Sequence, residues 1–387
     1  MDKKVKTICV VSEAVEGGVA THLEHLAQLP LEPDWRIVFV LSPRRNPMQL
    51  DRLRRVLMSR HIQLLQVNMC RSPDPVLDGL AYRSLKRHIR RLQPALIHTH
   101  SSKAGALTRF CVRSGSIPII HTPHVFAFQW ARGISGWLYG RIERYLSRYT
   151  DKYILFSKRQ REAALEVLGA NVAEKIALLP NGVDIHKFQP VSRQRREYLK
   201  KGLGIQPDDF CIGAVVRPVL QKAVPELLKM FRSLQDQEKT SVHLFIAGIP
   251  HDNGPVAAKI WAYGLHDRVH LLGWVDEMRE FYQTMDLLVM TSHWEGCPYA
   301  VLEAMACGCP VLTTRSFATD ELLPPQIDRF SVPVGDMGGL ANGVSHLIQH
   351  PETMDELRGI ARDHVENNFS LGRWYEEMHK LYASFLK

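Results

Sequence analysis

Short apolar runs alternate with amphipathic segments along the whole chain, and this pattern predicts strands that alternate with helices. The apolar runs that predict strands lie at residues 7–12, 35–42, 95–98, 117–121, 153–157, 176–179, 211–216, 242–247, 269–272, 287–290 and 309–313. The periodic segments that predict longer helices lie at 48–60, 79–92, 135–149, 159–168, 337–349, 352–367 and 371–387. Further helices are predicted after residue 21, within 185–204, up to about residue 234, and over 278–285 and 299–307. This order is typical of an α/β protein with two parallel doubly wound sheets, which bind ligands at the carboxyl ends of their strands.

The alternation starts again after a basic, polar stretch, so the chain of 387 residues is predicted to hold two domains, 1–190 and 191–370. Hydrophobic residues make up 45% and charged residues 23%, as in ordinary globular proteins. No apolar run is long enough to cross a bilayer, and the N-terminus leads into a strand without a signal-peptide pattern. The seven cysteines, an odd number, fit reduced thiols. We therefore expect a cytoplasmic protein.

Positive charge is concentrated in the first half of the chain. Residues 1–190 contain 29 Lys and Arg against 15 Asp and Glu, a net charge of +14, whereas residues 191–387 carry a net charge of −5. This asymmetry predicts an anionic partner for the first half: nucleic acid, an anionic membrane surface or a phosphorylated substrate. The helix predicted at 135–149 interleaves arginines with aromatic residues, a composition that favours the membrane interface over a plain solvated face.

One stretch combines two carboxylates with a helix start. Glu295 lies in the turn after the strand at 287–290, and Glu303 lies in the helix that follows. Pro298 suits the first helical position and Gly308 suits the position just past the helix end. Backbone N–H groups and the helix dipole at such a start attract phosphate, and the two carboxylates are placed to hold sugar hydroxyls. Taken alone, the two glutamates are better explained as unrelated surface carboxylates. That explanation weakens because both lie at the switch from apolar strand to helix, next to Gly296 and Pro298.

Two other loops carry residues suited to binding an anion. Arg217 and Lys222 lie beside a predicted helix start, where cations oppose the helix dipole, so an anion between them accounts for their presence better than a solvated surface does. Gly17 and Gly18 lie between a strand and a helix, where they let backbone N–H groups approach a ligand closely. A tight turn without a ligand explains this glycine pair equally well.

Four histidines are predicted to follow strand ends: His98, His100, His121 and His124. Clustered histidines suggest a metal site. No carboxylate lies near them in the sequence and the chain contains no Asp-x-Asp pair, so we expect no metal. A histidine at a strand end that bonds or orients a substrate fits these positions better.

Taken together, these segments resemble the glycosyltransferases of the GT-B fold, retaining family 4. The resemblance spans nearly the whole chain, and its most specific element is the Glu-x7-Glu motif, which matches Glu295 and Glu303. The other segments that agree in order are Gly17-Gly18-Val19, residues 121–124 (His-Thr-Pro-His), residues 180–184 (Pro-Asn-Gly-Val-Asp) and Arg217 with Lys222. The family has glycine after this lysine, whereas this chain has Ala223.

The resemblance implies two Rossmann-like domains facing across a cleft, with the terminal segment 371–387 returning to the first domain. It also implies catalytic roles. Arg217 and Lys222 would grip the donor diphosphate and stabilise the leaving group. Glu295 would hold the transferred sugar, and His124 would contact that sugar from the opposite domain. The donor-binding residues implied in this way are Gly17, Gly18, Arg217, Lys222, Gly248, Trp274, Val275, Glu295, Gly296, Cys297, Pro298, Tyr299, Ala300, Val301 and Glu303, the last of these bonding the ribose.

The predicted activity is transfer of a sugar, with retention of configuration, from a nucleotide-sugar donor that we expect to be UDP-linked. We expect the acceptor to be a lipid-linked saccharide of bacterial surface polysaccharide assembly, namely capsule, exopolysaccharide or O-antigen. Neither a metal nor another cofactor is expected, and the enzyme would associate peripherally with the anionic inner face of the cell membrane. Two alternatives stay open: a nucleotide-sugar epimerase on the same fold, and a basic nucleic-acid-binding protein, for which no recognition motif is present.

Overall fold

The computed structural model describes residues 5–112, 115, 117–131, 133–238, 240–316 and 319–386, which fall into two compact units. The first unit runs to Asn181 and resumes at Trp374, and the second comprises Gly182–Arg373. The boundary thus lies between residues 181 and 182 instead of between 190 and 191. The reason is local: the Asn181 side chain lies 3.0 Å from His22 Nδ1, whereas the Val183 N–H donates to the carbonyl of Phe369.

A parallel sheet forms the core of the first unit. In chain order its strands are β1 (Lys6–Ser12), β2 (Trp35–Leu41), β3 (Gln63–Gln66), β4 (Leu96–His100), β5 (Ile119–Thr122), β6 (Lys152–Leu155) and β7 (Ile176–Leu178). Their order across the sheet is β3-β2-β1-β4-β5-β6-β7. Strands β1 and β2 are buried along nearly their whole length, which is why they read as continuous apolar runs in the sequence.

The helices of the first unit cover both faces of this sheet. They are α1 (Gly18–Gln28), α2 (Pro47–Ser59), α3 (Pro75–Leu92), α4 (Ser102–Cys111), α5 (Ala127–Trp130), α6 (Gly133–Leu146) and α7 (Lys158–Leu168). Side-chain caps explain where two of them begin. Asn46 accepts a hydrogen bond from the Gln49 N–H at the start of α2, and Asp74 accepts from two N–H groups of α3.

A second parallel sheet forms the core of the second unit. Its strands are β8 (Phe210–Val215), β9 (Val242–Ala247), β10 (Val269–Gly273), β11 (Leu287–Met290) and β12 (Val311–Thr313), in the order β10-β9-β8-β11-β12. The helices from this part of the chain onward are α8 (Arg193–Gly202), α9 (Val224–Gln237), α10 (Gly254–Ala262), α11 (Met278–Thr284), α12 (Tyr299–Ala306), α13 (Thr319–Leu322), α14 (Pro325–Asp328), α15 (Met337–Gln349), α16 (Pro351–Asn368) and α17 (Leu371–Phe385). From Trp374 onward α17 belongs to the first unit. Lys387, included in the predicted terminal segment, lies outside the described residues.

The predicted order of strands and helices is confirmed, with differences at particular elements. Strand β3 was not predicted because its sequence, Gln-Leu-Leu-Gln, is too short and too polar at its ends to give a pattern. Helices α4 and α10 and the short helices α5, α13 and α14 were also missed. Strand β4 extends two residues beyond the predicted end at 98, because the polar residues that follow are buried inside the unit. Among the described residues, no helix is both long and apolar enough to cross a membrane.

Candidate active site

The carboxyl end of β11 leads through a loop into α12, as the apolar pattern predicted. Helix α12 begins at Tyr299, so Pro298 is its cap residue instead of its first helical residue. Its φ of −69° is compatible with either position. At the other end, Gly308 has a φ of +68°, the left-handed conformation that glycine adopts past a helix terminus. Most of the loop and first-turn residues are buried: Cys297 is 6%, Tyr299 5% and Val301 0% exposed, and Gly296 and Ala300 are half-buried.

Lys222 and Glu295 form an ion pair at this edge of the sheet. The Lys222 Nζ atom lies 2.6 Å from Glu295 Oε1, and the two side chains are only 16% and 8% exposed. Two further hydrogen bonds join their segments: Gln221 Nε2 donates to the Trp294 carbonyl, and the His293 N–H donates to the Gln221 carbonyl, both at 2.9 Å. The turn that carries Lys222 and the loop that carries Glu295 are therefore held together as one rigid piece.

Arg217 adds a second cation to this pair. It follows β8, the neighbour of β11 in the sheet, and its side chain is half-buried. Burial lowers the pKa of the Arg217 guanidinium, and the negative charge of Glu295 acts in the opposite direction. Both cations lie at the carboxyl edge of the same sheet, where cationic side chains of this kind can bind an anion such as a diphosphate.

Ala223 follows Lys222 at the position where the resemblance implies glycine. It adopts a φ of +48° and a ψ of 47° as the cap residue of α9, a left-handed conformation that costs a non-glycine residue about 1–2 kcal/mol. Glycine adopts this conformation without strain, which agrees with the glycine that the resemblance implies at this position. Ala223 nevertheless adopts this conformation, and α9 begins directly after it at Val224.

Glu303 is held by a residue that sequence reasoning missed. The Tyr282 hydroxyl, on α11, donates to Glu303 Oε2 at 2.8 Å, and Tyr282 is only 1% exposed. Burial and then the nearby Glu303 charge raise the pKa of Tyr282, so this hydroxyl stays a neutral donor. Nothing in the spacing along the chain indicated that these two residues meet, because they lie on different helices.

Gly248 follows β9 and sits in a tight backbone crossing. Its φ is +97°, its N–H donates to the Gly273 carbonyl at 2.7 Å, and a Cβ here would lie 2.4 Å from the Val216 carbonyl oxygen. The next predicted residues, Trp274 and Val275, follow β10. Trp274 is 47% exposed, which leaves its ring accessible to a planar ligand.

The remaining predicted residues lie in the first unit. Gly17 has a φ of +55° and its N–H donates to Gln49 Oε1 at 2.6 Å, and Gly18 is the first residue of α1. The glycine pair thus forms the turn between β1 and α1, as predicted.

The prediction that all four histidines follow strand ends is wrong for three of them. His98 and His100 lie within β4 and His121 within β5, and each is completely buried. Only His124 follows its strand, with a φ of +60° that is uncommon for a residue other than glycine. Three polar residues within strands are unusual, and their burial requires hydrogen bonds.

Together with His22 and His124, these three residues form what we call the buried histidine cluster, in which His124 is half-buried and the other four are completely buried. Ring contacts join four of its members, with centroids 5.2 Å apart for His22 and His100, 5.1 Å for His22 and His124 and 4.1 Å for His98 and His100, whereas the His121 ring is hydrogen-bonded to Thr99. Within it His100 Nδ1 lies 3.2 Å from His124 Nε2, and His98 Nδ1 lies 2.7 Å from the Tyr382 hydroxyl of α17. Burial is the main cause that lowers the pKa of all five, to about 4 for His22 and about 3 for His121. The imidazoles are therefore neutral near pH 7. Within the part of the chain that the structure describes, no group of three potential ligands is placed to hold a metal ion.

Two family models match the chain, one in each half. The model described as Glycosyltransferase Family 4 matches residues 16–187, and the model described as Glycosyl transferases group 1 matches residues 195–364. A relative from Escherichia coli, UDP-Gal:alpha-D-GlcNAc-diphosphoundecaprenol alpha-1,3-galactosyltransferase, is 25% identical over 324 residues, 82% of each chain. The capsular polysaccharide biosynthesis glycosyltransferase CapM of Staphylococcus aureus is 25% identical over 302 residues, 76% of this chain and 78% of its own.

Solved structures with the same fold cover nearly all of the chain. Anabaena Alr3699/HepE, solved in complex with UDP-glucose, has a TM-score of 0.82 at 19% identity and covers 98% of this chain and 99% of its own. Sucrose-phosphate synthase from Thermosynechococcus elongatus has a TM-score of 0.79 at 19% identity, with coverage of 98% and 99%. These likenesses confirm the predicted fold class.

Proposed function

Because this chain belongs to the family 4 glycosyltransferases of the GT-B fold, we propose that it moves a sugar from a UDP-linked donor to a lipid-linked saccharide, with retention of configuration. The observation that carries the proposal is the group formed by Arg217, Lys222 and Glu295 at the sheet edge of the second unit. The Escherichia coli relative is named for a UDP-sugar and a diphosphoundecaprenol-linked saccharide, the donor and acceptor classes that we propose here.

In the proposed donor site, the diphosphate lies against the two cations and the sugar lies against Glu295. As the glycosidic bond breaks, negative charge develops on the leaving nucleoside diphosphate. Arg217 and Lys222 stabilise that charge, which is the electrostatic contribution that catalysis of this kind requires. The acceptor hydroxyl attacks the face from which the diphosphate departs, so configuration is retained. Glu303, oriented by Tyr282, accepts hydrogen bonds from the ribose hydroxyls.

The other proposed donor contacts follow from the positions of their loops. Gly248, Trp274 and Val275 border the base. Residues 296–301 surround the start of α12 and hold the sugar and phosphates through their backbone, and Gly17 and Gly18 serve the diphosphate and the acceptor. His124 contacts the transferred sugar. We propose no metal, because the two cations supply the neutralising charge.

We propose that the acceptor belongs to bacterial surface polysaccharide assembly, such as capsule, exopolysaccharide or O-antigen. Two observations support this assignment. The Escherichia coli relative is named for a diphosphoundecaprenol-linked saccharide, and the Staphylococcus aureus relative for capsular polysaccharide biosynthesis. In addition, the net charge of +14 in residues 1–190 suits an anionic lipid carrier at an anionic surface.

We further propose that α6 contacts the inner face of the cell membrane. Ile134, Trp137 and Leu138 are 85%, 66% and 47% exposed, far more than is usual for large apolar side chains. The guanidinium of Arg141 lies 5.9 Å from the Trp137 ring, so apolar and cationic groups occur side by side, as in interfacial helices.

Liposome flotation tests this membrane surface with a matched control. Trp137→Glu should reduce recovery on anionic liposomes about tenfold, because it places a negative charge where the lipid would lie. Trp261, which is also 66% exposed but belongs to the second unit, provides the control Trp261→Glu. Equal recovery of both variants, or equal binding of the wild type to neutral and anionic liposomes, would contradict the proposed surface.

A thermal-shift panel tests the proposed donor class. A ligand that binds only the native state raises its apparent stability, by about 2.7 kcal/mol at a concentration of 100 times Kd. We expect UDP and UDP-sugars to raise the Tm, and GDP-, ADP- and CDP-sugars to raise it less. Equal shifts with all four bases would rule out a UDP-specific donor site, and no shift with any of them would rule out the proposed function.

A further inference from the structure

His124 is fixed at two points, one on its backbone and one on its ring. Its carbonyl accepts a hydrogen bond from Gln160 Nε2 at 3.1 Å, which restrains the left-handed backbone. Its ring nitrogen Nε2 lies 3.2 Å from His100 Nδ1. Backbone conformations of this kind persist where the surroundings enforce them, and they occur often at functional sites.

His100 is in turn held by its surroundings. It lies at the end of β4, it is completely buried, and its ring centroid lies 4.1 Å from that of His98. His98 is bonded at both nitrogens, to the Tyr382 hydroxyl at 2.7 Å and to Thr122 Oγ1 at 2.8 Å. The His100 ring therefore has little freedom to rotate. Among the described residues, His100 Nε2 has no hydrogen-bond partner, so the contact with His124 is the polar contact that its ring makes.

When two neutral imidazoles form a hydrogen bond, one of the two facing nitrogens carries the proton and the other accepts it. If His100 Nδ1 carries it, His124 Nε2 must accept, and a neutral His124 then bears its own proton on Nδ1. If His124 Nε2 carries the proton, His124 Nδ1 is an acceptor instead. The two tautomers are thus coupled. A proton on the buried His100 Nε2 would be a donor without a partner among the described residues, so the first arrangement is favoured, and Nδ1 is the nitrogen of His124 that the contact leaves for another partner.

We propose that His100 is a positioning residue for the transfer reaction: it holds the His124 ring in one orientation and one tautomer, so that Nδ1 serves a hydroxyl of the transferred sugar. The inference rests on the proposed function, because that is where His124 is assigned to the sugar. The contact between His100 and His124 within the buried histidine cluster supports this inference. In this proposal His100 itself does not touch the substrate.

Two variants of His100 separate a polar contact from packing. In His100→Asn the side-chain amide occupies approximately the place of Nδ1 and keeps a hydrogen-bonding group toward His124, whereas His100→Leu has a similar volume and no polar atom. We expect His100→Leu to lower kcat about 10- to 100-fold with the donor KM changed less than about threefold, because a misplaced contact costs up to about 10²-fold. His100→Asn should recover most of the loss.

A double-mutant cycle with His124→Ala tests whether His100 acts through His124. We expect His100→Leu to have less than about a twofold effect once His124 is alanine, because the ring to be positioned is gone. If His100→Leu costs the same factor in both backgrounds, or if His100→Asn is as impaired as His100→Leu, the positioning role is wrong. Circular dichroism and the Tm of each variant identify those that fold.

Imidazole ¹⁵N NMR of the whole protein gives a readout independent of activity. We expect His124 to show one dominant tautomer in the wild type and exchange between two tautomers in His100→Leu. An unchanged tautomer in His100→Leu would overturn the inference. A different outcome separates this inference from the proposed function. If the tautomer changes as expected but His124→Ala keeps full transfer activity, then His124 does not contact the transferred sugar, and the orientation that His100 imposes on it has no role in the reaction.

Discussion

Lys222 Nζ lies 2.6 Å from Glu295 Oε1, in a place where both side chains are largely buried. Breaking such a pair leaves an uncompensated charge, which typically costs more than the pair contributes. We expect Lys222→Met to abolish transfer and to lower the free energy of unfolding by about 1–3 kcal/mol. Glu295→Gln should also abolish transfer and should cost at least as much stability, because it leaves the partly buried Lys222 and Arg217 cations without this carboxylate.

The double variant distinguishes the two effects of this pair. Lys222→Met combined with Glu295→Gln should recover part of the lost stability and none of the activity, and urea denaturation with a transfer assay measures both. Lys229→Met, an exposed lysine on α9, serves as the control and should resemble the wild type. Turnover near the wild-type level in either single variant would refute the assignment of these residues to the donor site.

The left-handed backbone of Ala223 predicts that a glycine substitution at this position lowers stability less than a valine substitution does. Ala223→Gly relieves the positive φ but loses a buried methyl and gains unfolded-state freedom, so its net effect should stay within about 1 kcal/mol. Ala223→Val should lose more than about 2 kcal/mol, because a β-branched residue at positive φ is strained. Thermal unfolding measures both. A valine variant as stable as the glycine variant would mean that this backbone conformation is not adopted.

Tyr282 gives Glu303 its orientation, so removing the hydroxyl should weaken donor binding without removing the carboxylate. We expect Tyr282→Phe to raise the donor KM about 3- to 10-fold, the equivalent of one lost hydrogen bond, with kcat nearly unchanged. Tyr263→Phe, on the half-buried Tyr263 at the end of α10, is the control. The idea fails if Tyr282→Phe leaves KM unaltered or changes kcat alone.

The buried histidine cluster predicts that acid destabilises the first unit. Burial lowers the pKa of His22 from 6.5 to about 4 and that of His121 from 6.5 to about 3. Below pH 6.5 the unfolded chain binds protons that the folded chain excludes, so stability is complete above pH 6.5 and falls as the pH drops toward 4 and 3. Each such histidine costs about 1.4 kcal/mol per pH unit in that window.

Urea denaturation at pH 7.5 and pH 5.5 measures this loss. His22→Asn, which removes one of the titrating groups, should show a shallower decline than the wild type. Stability that is unchanged or higher at pH 5.5 would contradict the neutral, buried state of the cluster.

Local sequence patterns were enough to predict most of the fold. The helix at 337–349 and the strands at 242–247 and 287–290 coincide with the observed elements, because each presents its apolar residues in an unbroken pattern. Strand β3 escaped prediction because a short edge strand buries little apolar surface. The histidines of β4 were misplaced for a related reason: polarity suggested a loop, whereas tertiary hydrogen bonds allow them to be buried.

The sequence predicted individual residues of the candidate site from their local surroundings, but it did not predict which of them meet. Glu295 and Lys222 were predicted separately, from a helix start and from a cation beside another helix start. That they meet depends on β8 and β11 being neighbours in the sheet, which spacing along the chain does not reveal. Tyr282 left no signal at all, because an aromatic residue on an amphipathic helix is normally a core residue.

The central claim is retaining transfer from a UDP-sugar to a lipid-linked saccharide. Its most direct test is incubation of the enzyme with labelled UDP-sugars and a polyprenyl-diphosphate-linked saccharide, followed by solvent extraction and NMR of the new linkage. We predict label in the lipid fraction only when donor and acceptor are both present, an anomeric configuration equal to that of the donor, and no product with Glu295→Ala. An altered sugar formed from the donor alone, or a linkage of inverted configuration, would contradict the account.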